Sequence, residues 1–253
     1  VSCIYGLGNP TMFREMRLRL ETGSRTDLRE IRSRLISLQY ERNDAVLSRG
    51  TFRIRGDVLE IYPAYENHAF RVLIEWDEIS AIRRIDPLTG ETLEEQDICV
   101  IYPAKHFVMP EEQIRAALGL IREELEVRYA ELIREGKLVE AQRLRTRTEY
   151  DIEMLQEMGY CSGIENYSRH LSGRSEGERP AVLIDYFPES FLTFVDESHV
   201  TLPQVRGMYE GDRSRKMNLV NHGFRLPSAL DNRPLYYAEF ERMLHNVIYV
   251  SAP

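Results

Sequence analysis

Apolar positions recur along this chain in two rhythms, and the rhythm changes near residue 110. Between 26 and 38, Leu28, Ile31, Leu35 and Leu38 share one face of a helix, with Thr26 or Asp27 placed to cap it. Short β-like runs follow over 51–55, 58–62, 69–75, 79–85 and 98–102. Gly56-Asp57, Pro63-Ala64 and Thr89-Gly90 punctuate them as turns. The pattern predicts a small α+β module with an antiparallel sheet over residues 15–106. Ahead of it, residues 2–8 read as the close of a strand and a glycine turn, and Asn9-Pro10 permits a helix from Thr11 to Arg14.

From 110 to 159 the composition is helical. Glu111-Glu112 suits a helix N-terminus, and Gly136 divides the stretch into two helices. Ile114, Leu118, Ile121 and Leu125 mark one stripe; Leu138, Ala141, Leu144, Ile152 and Leu155 mark a looser one. Neither sustains heptads, so the two helices are expected to pack within their own domain rather than in a coiled coil. Residues 163–170 are polar and turn-rich. Glu165, Asn166, Tyr167, Arg169 and His170 offer ring stacking and phosphate contacts for single-stranded nucleic acid, or equally a buried polar network. A flexible loop at 172–178 leads to 180–185, which reads as a buried strand, while 208–234 has no strong period.

The most informative run is Phe191-Leu192-Thr193-Phe194-Val195, an apolar strand that stops in Asp196-Glu197. Buried parallel strands of α/β sheets read this way, and ligands collect outside their carboxyl ends. Asp196 there would hold magnesium through its water shell, and Glu197 would orient or deprotonate an attacking water. Ser198 and His199 stand one step further out. A lone Asp-Glu pair is more often a solvated acidic turn capping a strand, and its neighbours must decide between the two readings.

Charge narrows the classes further. The 253 residues carry a net charge of −8, which argues against a surface that binds nucleic acid by bulk electrostatics. Local basic patches must then do any phosphate work, and Arg213, Arg215 and Lys216 form the densest one after the acidic strand. Cys3, Cys99 and Cys161 are widely spaced, with no zinc-type pairing, as expected of reduced thiols. No apolar run near 18 residues and no charged-then-apolar leader occur, so neither a membrane span nor secretion is expected.

Several longer blocks settle what surrounds the acidic pair. Asp196-Glu-Ser-His-Val-Thr-Leu-Pro-Gln-Val-Arg-Gly-Met-Tyr209 resembles the second helicase motif of the UvrB family and its continuation. Gly163-Ile-Glu-Asn-Tyr-Ser-Arg-His170, Asp185-Tyr-Phe-Pro188 and Gly223-Phe-Arg-Leu-Pro-Ser-Ala-Leu-Asp-Asn-Arg-Pro234 resemble the same family in order. So do Val1-Ser-Cys-Ile-Tyr-Gly-Leu-Gly8 and Arg49-Gly-Thr-Phe-Arg-Ile-Arg-Gly-Asp57. The resemblance implies an α/β fold: part of a superfamily-2 helicase RecA-like lobe with a parallel sheet, carrying an inserted small α+β UvrA-binding domain. Lobe residues would then be 1–14, 107–207 and 236–253, with the insert at 15–106 and a small DNA-clamping insertion at 208–235.

What the resemblance implies for function is excision repair with UvrA and UvrC on damaged DNA at single-strand/duplex junctions, in the cytoplasm. The intact family hydrolyses ATP with magnesium to verify lesions before incision, Asp196, Glu197 and His199 being the catalytic matches. Arg42, Arg53, Arg55 and Arg71 match UvrA-contacting positions. Arg53-Ile54-Arg55 places both arginines on one strand face. Leu73 and Trp76 depart from the family's acidic residue and glycine, creating an apolar spot. Glu165, Asn166, Tyr167, Arg169, Arg213, Arg215 and Lys216 would face nucleic acid.

The chain has no Gly-x-x-x-x-Gly-Lys-Ser/Thr phosphate loop, which in the family lies upstream, as does an aromatic β-hairpin; the second lobe lies downstream. Val247-Ile-Tyr-Val-Ser-Ala-Pro253 resembles the third helicase motif without its threonine. The chain therefore reads as a middle section, with no bound cofactor and no ATP hydrolysis expected of it alone. The alternatives are a stand-alone UvrA-binding module, or the UvrB-like region of a transcription-repair coupling factor, which lacks a working ATP site. The intact Asp196-Glu-Ser-His199 argues for UvrB.

Overall fold

Leu28, Ile31 and Leu35 do share a helix face: α2 spans Leu28–Ser37, capped by the Asp27 carboxylate, which accepts from Arg29 N at 2.7 Å. The computed structural model describes residues 3–105 and 108–252. They divide into two units, residues 11–110 and residues 1–10 with 111–253. No helix among the described residues is long and apolar enough to cross a membrane. The domain edge drawn from sequence at 106–107 and the terminal Pro253 lie outside the described residues, as does Ser2.

In the 11–110 unit, α1 (Pro10–Glu15) leads to β1 (Leu18–Glu21), α2 and a six-stranded sheet. The sheet runs in order β2 (Glu41–Arg42), β3 (Thr51–Arg55), β4 (Val58–Tyr62), β5 (Ala69–Glu75), β6 (Glu78–Ile85), β7 (Thr92–Gln96). It is antiparallel except for the β2–β3 pair. Alternation puts Phe52, Leu59, Ile61, Phe70, Val72 and Ile82 on one face, where they bury against Ile31, Leu35 and Leu38. The other face carries the row Arg53↔Glu60↔Arg71↔Arg83↔Glu95 across five strands.

Three strands differ from expectation. The run at 98–102 becomes β8 (Ile98–Ile101), which pairs with β1 in a separate two-stranded sheet. β1 is only the four residues Leu18-Arg19-Leu20-Glu21, too short for its alternation to register. β7 was invisible because it is an exposed edge strand, polar on nearly every position.

The second unit opens with the helical hairpin α3 (Glu111–Arg134) and α4 (Leu138–Met158), turning at Gly136 with φ 74°. Ile114, Leu118, Ile121 and Leu125 of one stripe and Ala141, Leu144, Ile152 and Leu155 of the other are buried as their spacing requires, whereas Leu138, at the start of α4, is 61% exposed. A 3-10 turn at Ile164–Tyr167 and α5 (Ser168–Leu171) follow.

Residues 180–185 are not the strand that was expected. Leu183–Tyr186 is a 3-10 turn. The Asp185 carboxylate accepts from Val182 N at 2.7 Å and grips Arg179 at 2.8 and 2.9 Å, which closes the backbone on itself. Val182 and Ile184 still reach a core with Ile4, Leu235 and Phe240, which is what their apolar character required.

β9 (Leu192–Val195) is parallel, as expected, and pairs with β10 (Asn246–Tyr249). It is not buried. Only Val195 is covered, while Leu192 is 52% and Phe194 63% exposed. Burial on both faces needs flanking strands and helices, and among the described residues this sheet has two strands. α6 (Ser198–Asn221) then runs unbroken through 207–208, where the small insertion was expected to begin. Its buried positions Val205, Asp212, Lys216 and Val220 keep helical spacing, but two are charged, which hid the period. A 3-10 turn at Pro227–Asp231 and α7 (Tyr237–Met243) complete the unit.

Candidate functional site

The carboxyl end of β9 builds a tight acidic corner. Asp196 Oδ1 accepts from Glu197 N at 2.9 Å, and Thr201 Oγ1 donates to Asp196 O at 2.9 Å. Glu197 sits in the left-handed region at φ 45°, ψ 48° and forms the N-cap of α6, its carbonyl accepting from Val200 and Thr201 N at 2.9 Å. A non-glycine residue held there is a strained feature that its surroundings must fix. Two bonds fix it: Ser198 N donates to Val250 O and Val250 N to Val195 O, both at 2.9 Å.

Those bonds also bring Ser251 to His199. Its Oγ lies 2.7 Å from His199 Nδ1, and Glu197 Oε2 lies 3.5 Å from the same nitrogen. One imidazole therefore links the second acidic residue to the loop after β10. Glu197 and His199 are about half exposed, at 53% and 51%. Beside Asp196 opens an apolar cavity of about 290 Å³ lined by Ile4, Phe191, Val195, Met208 and Phe240. Asp196, Thr201 and Gln204 add polar groups to this mostly apolar lining.

The arginines chosen for docking fare differently from one another. Arg53 Nε donates to Glu60, Arg71 reaches Glu60 Oε1 at 2.7–2.8 Å, and Arg71 also donates to Gly90 O at 3.2 Å. Glu60 is 4% exposed. Burial alone would raise its pKa, but the hydrogen bonds and charges of Arg53 and Arg71 outweigh it and hold the carboxyl below its ordinary 4.5. Arg53 and Arg71 are thus partly committed within the sheet. Arg42 pairs with exposed Asp44 at 2.9 Å, and Arg55 donates to Asp44 O at 2.9 Å with its side chain exposed. Sequence reading missed Glu60, an acid inside an apolar strand, and only strand register shows its two partners.

Removing Glu60 leaves two half-buried guanidinium groups opposed. Glu60→Ala is expected to cost about 3 kcal/mol or more in urea unfolding of the chain. Glu124 is also held low, burial being outweighed by hydrogen bonds from His170 and Ser228, and Glu239 by Arg233. Depressed carboxyl pKa values stabilise above the unfolded value and lose that contribution as pH falls through the folded one. The melting temperature should therefore hold above pH 4.5 and drop below it, with a shallower drop in Glu60→Gln. A flat acid limb in the unsubstituted chain would contradict this assignment.

The residues predicted to face nucleic acid divide. Tyr167 is 5% exposed and donates to Asp151 Oδ2 at 2.8 Å; its hydroxyl pKa is raised by burial and by the Asp151 charge. Arg169 bridges Asp231 at 2.8 Å, and His170 Nε2 meets Glu124 Oε2 at 2.6 Å. For these three the buried polar network is what the fold contains. Lys216 is also inside, at 5% exposure, paired with Asp212 at 2.8 Å and donating to Asn232 O. Burial, partly offset by Asp212, lowers its pKa. Asn166 is half-buried and donates to Gly163 O at 2.7 Å; Glu165, Arg213 and Arg215 remain exposed. Burial pushes the Cys161 thiol up to about 12, so it is no nucleophile.

Comparison with known proteins accords with these features. The UvrB interaction domain profile matches residues 18–107, and that of the UvrB third helical domain matches 112–173. UvrABC system protein B of Treponema denticola is 60% identical over 252 residues, and that of Geobacillus kaustophilus 58% over 253. Gloeobacter violaceus has one at 57%. Each match covers 100% of this chain, which spans 37–38% of the length of those relatives. With identity this high along its whole length, and both domain profiles in sequence order, the chain belongs to the UvrB family.

Proposed function

We propose that this chain carries two working parts of a UvrB subunit: a docking surface for UvrA on the 11–110 unit, and the acidic edge of an ATP site at the end of β9. The intact protein would use them with UvrC on damaged DNA in the cytoplasm, verifying lesions at the cost of ATP before incision. The observation that carries the reading is the corner at Asp196-Glu197, whose strained N-cap residue is held within reach of His199 and Ser251.

The residues fit magnesium-bound ATP on one side only. Asp196 is exposed, and its Oδ2 carries no protein hydrogen bond among the described residues, leaving it open to a metal-bound water. Bound magnesium would neutralise charge on the phosphates. Glu197 would orient the attacking water or take its proton. His199 would pass the state of that corner to Ser251 through their hydrogen bond. No residue of this sequence supplies the glycine-rich phosphate cradle, so hydrolysis belongs to the longer protein. Glu165, Arg213 and Arg215, the exposed members of the nucleic-acid set, are the positions through which strand contacts would reach this unit.

Docking is tested by titrating UvrA with the purified chain. Arg55→Glu should weaken binding at least about tenfold, because its guanidinium is exposed and free to pair with a carboxylate of the partner. Unchanged affinity would remove Arg55 from the interface. Arg53→Glu is a poor test, since it sets a carboxylate against Glu60 and mixes folding with binding.

A further inference from the structure

Trp76 is the sole tryptophan of the chain and is 99% exposed. It stands with Asp77 at the tip of the β5–β6 hairpin, and both have positive φ, 54° and 60°. Tight hairpin turns of this kind favour Asn-Gly, because a bulky side chain is strained at φ > 0. The turn therefore holds a large apolar ring in water on an unfavourable backbone, and neither cost is offset by packing. An outlier of this kind points to function.

The tip is also fixed. Asp77 O accepts from Thr26 N at 2.8 Å, Ser24 O from Ile79 N at 3.0 Å, and Ile79 O from Gly23 N at 2.8 Å. Arg25 bridges Glu78 backbone to backbone. The turn that carries the indole is thus fixed before anything binds it, which lowers the backbone entropy lost on association. Around it lie Glu75, Asp77 and Glu78, none with an ion pair among the described residues, while Arg25 and Arg29 line a groove together with Asp77. The neighbouring 56–57 turn lies at the same end of the sheet, since Ile74 N donates to Asp57 O at 2.9 Å. Arg55 pairs with Val58 and Val58 with Leu73, so that end continues into the Arg55 face.

We propose that Trp76 is a preorganised anchor that takes a lysine or arginine of a basic segment of the partner onto its ring, with Glu75 and Asp77 beside it. An indole face attracts a cation, and nearby carboxylates add to the attraction. The inference rests on the UvrA-docking reading and adds to it a second contact of opposite charge from the arginine face.

With one tryptophan, the chain labelled with 5-fluorotryptophan should give a single fluorine resonance. Adding UvrA should shift and broaden it. Trp76→Gly, which relieves the backbone strain, and Trp76→Ala should each weaken UvrA binding at least about tenfold. Asp77→Asn, which tolerates the left-handed backbone, should weaken it about threefold or more, and both losses should shrink as salt is raised. Binding by the Trp76 variants equal to that of the unsubstituted chain overturns the anchor and leaves docking intact. Failure of the unsubstituted chain to bind UvrA overturns both. A loss indifferent to salt and to Asp77→Asn overturns the basic segment, the ring then filling an apolar pocket.

Discussion

Gly223→Ala is expected to lower the stability of its unit by about 4 kcal/mol, or to prevent folding outright. Gly223 has φ 68°, a region where a side chain is strained by roughly 1–2 kcal/mol. The larger effect is steric. A Cβ there would run into Glu140 O and would meet Glu140 C at 2.7 Å and Glu140 Cα at 2.9 Å. All three belong to the backbone of α4, so no rotamer change relieves them. The contact is also tied down on both sides: Arg143 Nη1 donates to His222 O at 2.7 Å and its guanidinium lies 4.2 Å from the centre of the Phe224 ring. Overpacking against fixed neighbours costs about 1–3 kcal/mol beyond the backbone strain. Gly177→Ala is the control, with φ 77° and nothing within 4 Å of the added carbon. It should cost only the conformational part. Urea unfolding that gives the two variants equal midpoints would refute the close approach of α4.

Glu197→Gln should reduce single-strand-stimulated ATP hydrolysis by the intact UvrB protein about 10²- to 10⁴-fold, the range removed with a general base. That corresponds to about 3–5 kcal/mol of barrier. Glutamine keeps the shape and the N-cap position of residue 197, so the corner held by Ser198 N, Val250 and Thr201 should persist. Binding of ATP is expected to change little, because in the proposed role Glu197 would act on water rather than on phosphate. Retention of hydrolysis in this variant would place the base elsewhere. The chain by itself should hydrolyse nothing, and hydrolysis by it that Glu197→Gln abolishes would mean a phosphate cradle of another kind.

Much of the architecture was legible because burial follows side-chain period. The stripes of α2, α3 and α4 and the alternation of β3 to β6 each needed one apolar partner face, and each found it. β1 and β7 were not legible. A four-residue strand and a polar edge strand bury too little to mark themselves. Residues 180–185 misled for the opposite reason. Their apolar content announced burial correctly, but the hydrogen bond that Val182 N donates to the Asp185 side chain chose a turn instead of a ladder.

At the site, sequence alone determined that a parallel strand ends in Asp196 and Glu197, and that Arg53 and Arg55 share a face; it did not mark α6, the helix that Glu197 caps. Those facts follow from local chemistry and from the two-residue period of strands. Only the tertiary structure decided which charges are free. Arg53 and Arg71 converge on Glu60, Tyr167 on Asp151, Arg169 on Asp231, and Lys216 on Asp212. Apart from the last, these pairs join residues of different elements, and Ser251 reaches His199 across 52 positions of sequence. A charge looks the same in sequence whether it faces water or an opposite charge in the interior. The choice is set by desolvation, and desolvation is a property of the packed chain.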